Sequence, residues 1–207
     1  MIENDYRLVK LQTTHQENID CRYYYAPKDI KKAVIFVGGV GGGWDSPAKE
    51  LYSKLAGKLV SNGISSLRIR YRHPTDLDEC VMDVIAGIKF LENNRIKSVG
   101  LVGHSLGGAV VIKAAAALPN IVRTVVTLST QSYGAAESLS KLGQKRCSIL
   151  LIHGTDDDVL PPMCSSYVYN KASNPKHIIL FEGAKHALEE SAEEIYQTIY
   201  QWLLEHL

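Results

Sequence analysis

From residue 33 onward, short continuous apolar runs alternate with stretches whose apolar positions recur at three- and four-residue intervals. The runs are Ala33–Val37, Ile64–Arg70, Ser98–Val102, Val122–Leu128, Ser148–Ile152 and Lys176–Leu180. Most are rich in Val, Ile and Leu without polar alternation, the pattern of parallel strands covered on both faces. Ahead of them, Tyr6–Leu11 and Ile19–Tyr25 read as an antiparallel opening pair. Ser46-Pro47 opens the first helix, a cap residue followed by proline where its missing N–H costs nothing, and Asn62-Gly63 closes it. Thr75-Asp76-Leu77-Asp78 has the form of a capping box, followed by the stripe Leu77, Val81, Val84, Ile85, Ile88 and Leu91. A third helix ends before Pro119, and a weak fourth falls within Gly134–Leu142. A fifth starts at Pro161-Pro162, and the last runs from about Leu188 to His206. Repeated βα units predict an α/β fold, a mostly parallel sheet with right-handed crossovers and helices on both faces. No repeat, low-complexity tract or linker interrupts the pattern, so residues 1–207 are expected to form a single domain.

One junction in this pattern carries chemistry. Val99-Gly100-Leu101-Val102 is followed by Gly103-His104-Ser105-Leu106-Gly107-Gly108 and then by the small, apolar run Ala109 to Leu118. G-x-S-x-G between a strand and a helix is a nucleophile elbow, a tight turn that lifts a serine hydroxyl clear of the sheet. Glycine is expected at 103 and 107 because a Cβ there would meet the neighbouring strand or helix. A serine hydroxyl is a weak nucleophile at neutral pH; it needs a base in reach, and the base needs an orienting group. In an open parallel sheet such partners come from loops at the carboxyl ends of the strands. Here those are Gly38–Asp45, Tyr71–Thr75, the elbow, Ser129–Gly134, His153–Leu160 and Glu182–Ala187.

Four of the seven histidines fall in these loops: His73, His104, His153 and His186. His186 follows the last strand, where a loop can bend back over the elbow, and is the expected base. His104 should point away behind the nucleophile, His153 with Gly154 should shape a turn, and His73 leads into Pro74. The orienting acid belongs in the loop after the preceding strand, where Asp156, Asp157 and Asp158 stand side by side; composition alone does not choose among them. The order serine, acid, histidine is that of this kind of site on an α/β sheet. An oxyanion formed on attack needs two donors. The elbow supplies the N–H of Leu106, and the loop Gly38-Gly39-Val40-Gly41-Gly42-Gly43 points to the N–H of Val40 as the second, each donor being worth about 3 kcal/mol. The same glycines do not form a phosphate loop, since neither G-x-x-x-x-G-K-[ST] nor G-x-G-x-x-G is completed.

With these loops in place the chain resembles the α/β-hydrolase superfamily along essentially its whole length, and within it the small, lidless hydrolases near the dienelactone hydrolase group. His153-Gly154-Thr155-Asp156-Asp157-Asp158-Val159-Leu160-Pro161 is similar to that family's H-G-x-x-D-x-x-V/L-P, and Gly183-Ala184-Lys185-His186 to its G-x-x-H. The resemblance implies a catalytic triad of Ser105, Asp157 and His186. Dienelactone hydrolases proper use a cysteine where this elbow carries Ser105, which favours general ester or thioester chemistry. Many relatives have His-Gly where this chain has Gly38-Gly39, so the histidine that props their glycine loop is missing.

Between Leu128 and Cys147 about eighteen residues connect two strands, too few for a linking helix plus a cap. The resulting open site is expected to be walled by Trp44, Tyr71, Arg72, His73, Gln131, Tyr133 and Leu160. Arg70 and Arg72 suit either a substrate anion or salt bridges with Asp76, Asp78 or Glu79. With 207 residues, 45% hydrophobic content and a formal net charge of +1, the chain is an ordinary globular protein with no pull toward nucleic acid. No apolar stretch reaches the ~18 residues of a membrane span, and Met1–Asp5 lacks an apolar leader core, so a cytoplasmic location is expected. Cys21, Cys80, Cys147 and Cys164 match no zinc spacing and read as reduced, mostly buried thiols; no metal or cofactor is called for. The expected activity is hydrolysis of a small-molecule acyl substrate. A peptidase or acyltransferase with the same three residues, and a binding protein on a hydrolase scaffold, remain alternatives.

Overall fold

A computed structural model describes residues 6–13, 16–27, 31–139, 142 and 147–207. Among the described residues there are eight strands: β1 (Arg7–Gln12), β2 (Asn18–Tyr24), β3 (Lys32–Val37), β4 (Ser65–Ile69), β5 (Ser98–His104), β6 (Val122–Leu128), β7 (Ser148–Gly154) and β8 (Lys176–Phe181). They form one sheet in the order β1-β2-β4-β3-β5-β6-β7-β8. β1 pairs antiparallel with β2 and β2 antiparallel with β4, while every other neighbouring pair is parallel. The apolar runs therefore mark the strands within one or two residues. β5 and β7 extend two residues further than expected, through His104 and Gly154, because the glycines there leave the ladder unbroken.

Alternation along β3 shows how both faces are used. Ala33, Ile35 and Val37 enter one core, with α2 (Leu77–Asn93), α3 (Leu106–Ala117) and α4 (Met163–Lys171). Val34 and Phe36 enter the other, with α1 (Pro47–Ser61) and α5 (Ala192–His206). A strand buried on both faces has few positions for a polar side chain, which is why these runs do not alternate in the sequence.

Several boundaries differ from expectation for local reasons. Asp76, not Thr75, caps α2: its carboxylate accepts the N–H groups of Asp78 (3.0 Å) and Glu79 (3.1 Å). An ionised cap is favoured there, at the positive end of the helix dipole. Of the weak fourth helix the described residues include a 3₁₀ turn, Ala136–Ser138, followed by helical Leu139 and Leu142; positions 140, 141 and 143–146 lie outside the described residues. α5 begins four residues later than expected, because Leu188 has φ +59° and the chain turns there. α1 opens with a left-handed turn: Ala48, Lys49 and Glu50 have φ of +48°, +53° and +65°, and regular helix begins at Leu51. Each such residue costs about 1–2 kcal/mol. This turn docks onto the loop after β8 through the Ala48 N–H, which donates to Ala187 O (2.7 Å) beside His186. Among the described residues the segment from Leu128 to Ser148 forms no cap domain.

Candidate active site

β5 runs straight into α3, and the turn between them is Ser105 alone. Its φ of +55° and ψ of −120° are sparsely populated for any residue with a side chain, a strain of order 1–3 kcal/mol that the surroundings must hold in place. The holding is steric and hydrogen-bonded. A Cβ on Gly103 would strike the Gly107 carbonyl, and one on Gly107 would strike the Gly38 carbonyl, so strand, helix and glycine loop close to backbone contact. The Ser105 N–H donates to Leu128 O (2.8 Å), tying the turn to β6. Ser105 is 8% exposed, and among the described residues its hydroxyl makes no hydrogen bond.

The loop after β7 supplies a carboxylate and the loop after β8 an imidazole. Asp157 Oδ2 accepts from His186 Nδ1 at 2.8 Å, which leaves the lone pair of that ring on Nε2. Asp157 Oδ1 accepts the N–H groups of Val159 (2.9 Å) and Leu160 (2.8 Å). The Asp157 side chain is fully buried; burial raises the cost of its charge, but the hydrogen bonds from Leu160, His186 and Val159 outweigh it and hold the carboxyl below its ordinary range. The His186 side chain retains 17% exposure. The elbow carries His186 from below: His104 Nε2 donates to His186 O (3.0 Å), and the two rings lie 4.8 Å apart.

The glycine loop passes directly over the serine, since a Cβ on Gly39 would lie 3.1 Å from Ser105 Cβ and 3.5 Å from Oγ. Asp45 takes up the Gly39 N–H (3.2 Å) and lies 3.7 Å from His104 Nδ1. His104, burial notwithstanding, and then the Gly39 N–H hold the Asp45 carboxyl below its ordinary value. Asp45 thus ties the glycine loop to the elbow, through the Gly39 N–H on one side and beside His104 on the other. Among the described residues neither the Val40 N–H nor the Leu106 N–H donates to another group.

Residues 44–190 match the alpha/beta hydrolase family. The chain belongs to that family. Among solved structures it is similar to a dienelactone hydrolase from Anabaena variabilis ATCC 29413, at 20% identity over 98% of each chain with a TM-score of 0.84. It is also similar to Est1E from Butyrivibrio proteoclasticus, at 15% identity over 96% of this chain and 98% of that one with a TM-score of 0.82. A kynurenine formamidase from Meyerozyma guilliermondii is 34% identical over 90 residues, which covers 39% of this chain and 32% of the formamidase. The chain therefore aligns with about a third of that relative's length.

As an alpha/beta hydrolase the chain departs from expectation mainly in its site walls. Arg72 is not available to a substrate. Its guanidinium is 7% exposed and meets Asp83 (2.6 Å), Glu79 (2.6 Å) and Glu17, while its backbone N–H also binds Asp83 (3.0 Å). Burial alone would lower the Arg72 pKa, but Asp83 and Glu79 outweigh it and hold the group protonated. Trp44 is turned toward β2 and β4: Arg22 lies 4.2 Å over its ring, and its carbonyl accepts from Arg68 (2.8 Å). His73 is half-exposed beside Glu17, at 3.9 Å. Glu17, His73 and Glu79 offer ligand atoms within 4.8 Å of one another, but Arg72 already supplies the positive charge among those carboxylates. Gln131 Nε2 donates to Tyr133 O (3.0 Å), and the Tyr133 ring is 79% exposed. Leu160 serves through its backbone, donating to Asp157 and accepting from His153 Nε2 (2.9 Å). Arg70 pairs with Asp20 at 3.9 Å, not with the start of α2. A groove of about 620 Å³ between β1 and α2, lined by Leu11, Met82, Ile85 and Phe90 among others, contains none of the residues around Ser105.

One residue of this alpha/beta hydrolase site had a signal that was misread. His153 was expected to shape a turn, yet it ends β7, fully buried, with Nε2 3.0 Å from Asp157 Oδ2. A histidine closing an apolar strand is either partnered or very costly. That rule identifies His153 as a residue needing a partner, but not which one.

Proposed function

We propose that the protein is a serine hydrolase that cleaves carboxylic ester or thioester bonds of small acyl substrates through an acyl-Ser105 intermediate. Ser105 Oγ attacks the carbonyl carbon. His186 Nε2 takes the hydroxyl proton and returns it to the leaving oxygen or sulfur. Asp157 orients the imidazole and stabilises its charged form. The N–H groups of Leu106 and Val40 receive the negative charge on the carbonyl oxygen. Water then attacks the acyl-enzyme with His186 as base, and Ser105 regains its proton. The observation that carries this reading is the 2.8 Å bond from His186 to a buried, ionised Asp157, on loops that converge over a strained serine. Residues 1–207 act as one catalytic domain with no cofactor. Among the described residues no helix is long and apolar enough to cross a membrane. We place the protein in the cytoplasm, because its four cysteines are free and three are buried.

The deciding experiment pairs turnover of p-nitrophenyl acetate with covalent labelling by a fluorophosphonate. Wild type is expected to do both and Ser105→Ala neither; undiminished turnover by that variant would refute the mechanism. The similarity to a formamidase favours a second reading, in which the bond cleaved is a formyl C–N bond by the same steps. Comparing an N-formyl arylamine with the corresponding formyl ester separates the two.

A further inference from the structure

Asp157 Oδ2 lies between two imidazoles. His186 Nδ1 approaches at 2.8 Å from the loop after β8, and His153 Nε2 at 3.0 Å from the end of β7. The His153 ring has no rotational freedom left: Nε2 donates to Leu160 O (2.9 Å), and Nδ1 accepts the Ser165 hydroxyl (2.7 Å) from α4. These two bonds require the Nε2–H tautomer, so the positive pole of that N–H stands beside the oxygen that serves His186. Leu160 closes a ring by donating its own N–H to Asp157 Oδ1. His153 and Ser165 are both fully buried, and nothing in the steps proposed above uses either.

We propose that His153 is a positioning residue that fixes Asp157 and, by drawing charge from the shared oxygen, lets His186 act as a base at lower pH than it otherwise would. This rests on the assignment of Ser105, His186 and Asp157. A carboxylate oxygen with one donor concentrates its charge on the imidazolium that forms during attack. A second N–H pole at 3.0 Å offsets part of that charge, so His186 gives up its proton more readily. Burial holds His153 itself below the usual imidazole range despite Leu160 and Asp157, so it remains a neutral donor. The other groups around the pair do not replace it. His104, from the elbow, faces the His186 ring with Asp45 behind it. Lys185 and Glu190 are tied to each other on the His186 loop, and Asp156 and Asp158 are exposed on the acid loop. Val159 and Leu160 bind the opposite oxygen.

The test measures kcat/KM against pH across the imidazole range, with rates normalised to the fraction of Ser105 labelled by fluorophosphonate. His153→Phe removes the N–H pole, and His153→Gln keeps an amide N–H in its place. Ser165→Ala frees the ring to change tautomer. The Phe variant is expected to shift the acid limb upward by about half to one pH unit and to lower kcat about tenfold. The Gln variant should restore the wild-type limb, and Ser165→Ala should shift it upward by less than Phe. A labelled Phe variant with the wild-type limb, or a Gln variant shifted as far as Phe, overturns the proposal. If the Phe variant does not fold, Ser165→Ala decides, and an unmoved limb there overturns it. Failure of the parent assignment looks different, because Ser105→Ala would then keep its turnover whatever stands at position 153.

Discussion

Two charge clusters stand at the carboxyl end of the sheet, and they do opposite things. After β4, Arg72 is enclosed by Asp83, Glu79 and Glu17. After β7, Asp157 is enclosed by His186, His153 and two backbone N–H groups. Both lie where ligands bind on such sheets. In the first cluster the guanidinium spends its donors on the protein, and what remains is a clamp between the β2 and β4 strands and α2. In the second one group is left incomplete: His186 is held through Nδ1, its Nε2 carries a free lone pair, and its side chain is partly exposed. What separates a site from a brace is an unspent valence facing outward, not the presence of charge.

The sharpest way to break this contrast is to remove the groups proposed to react. Ser105→Ala and His186→Ala should each lower kcat for p-nitrophenyl acetate by about 10⁴-fold or more, with thermal melts close to wild type. Next comes the choice of acid. Asp157→Asn should cost about 10⁴ in kcat by presenting the wrong hydrogen-bond pattern to His186. Asp156→Asn and Asp158→Asn, both exposed, should stay within about twofold, because neither touches the imidazole. Losses equal to that of Asp157→Asn at either position would move the acid.

The Arg72 cluster should respond in stability. Arg72→Met strands Asp83, whose side chain is fully buried, and should destabilise the fold by about 3–5 kcal/mol in denaturant titration. Turnover per labelled serine should remain near wild type; a selective rise in KM for anionic esters would instead return Arg72 to the substrate site. The smallest effect expected is a pH dependence of stability. The folded-state pKa of His153 is depressed by burial, so below the unfolded value of about 6.5 the unfolded chain binds the extra proton and stability falls with pH. The depressed carboxyls of Asp157 and Asp45 add a second loss only below about pH 4. Melting midpoints should therefore decline between pH 7 and 5, and Ser165→Ala should leave that slope largely in place.

Much of this was legible in the chain. Continuous Val/Ile/Leu runs identified the parallel strands, because a strand covered on both faces admits few polar side chains. The spacing of Gly103, Ser105 and Gly107 identified the elbow, since backbone contact forbids a Cβ at either glycine. The order of loops after β7 and β8 predicted where an acid and a histidine would meet. The acid itself was chosen by a family resemblance and not by composition, because three adjacent aspartates differ only in which way each points. The side-chain partners were only partly legible. Glu79 was among the salt-bridge partners that the sequence offered Arg72 beside a substrate anion, but Glu17 and Asp83 were not, and His153 read as a turn residue because Ser165 belongs to another element. Local steric rules and hydrophobic periodicity act over a few residues, so the sequence by itself determined the strands, the helices and the elbow. Which donors and acceptors are consumed, and which are left over at the carboxyl end of the sheet, depends on groups brought together only by folding, and the tertiary structure alone decided it.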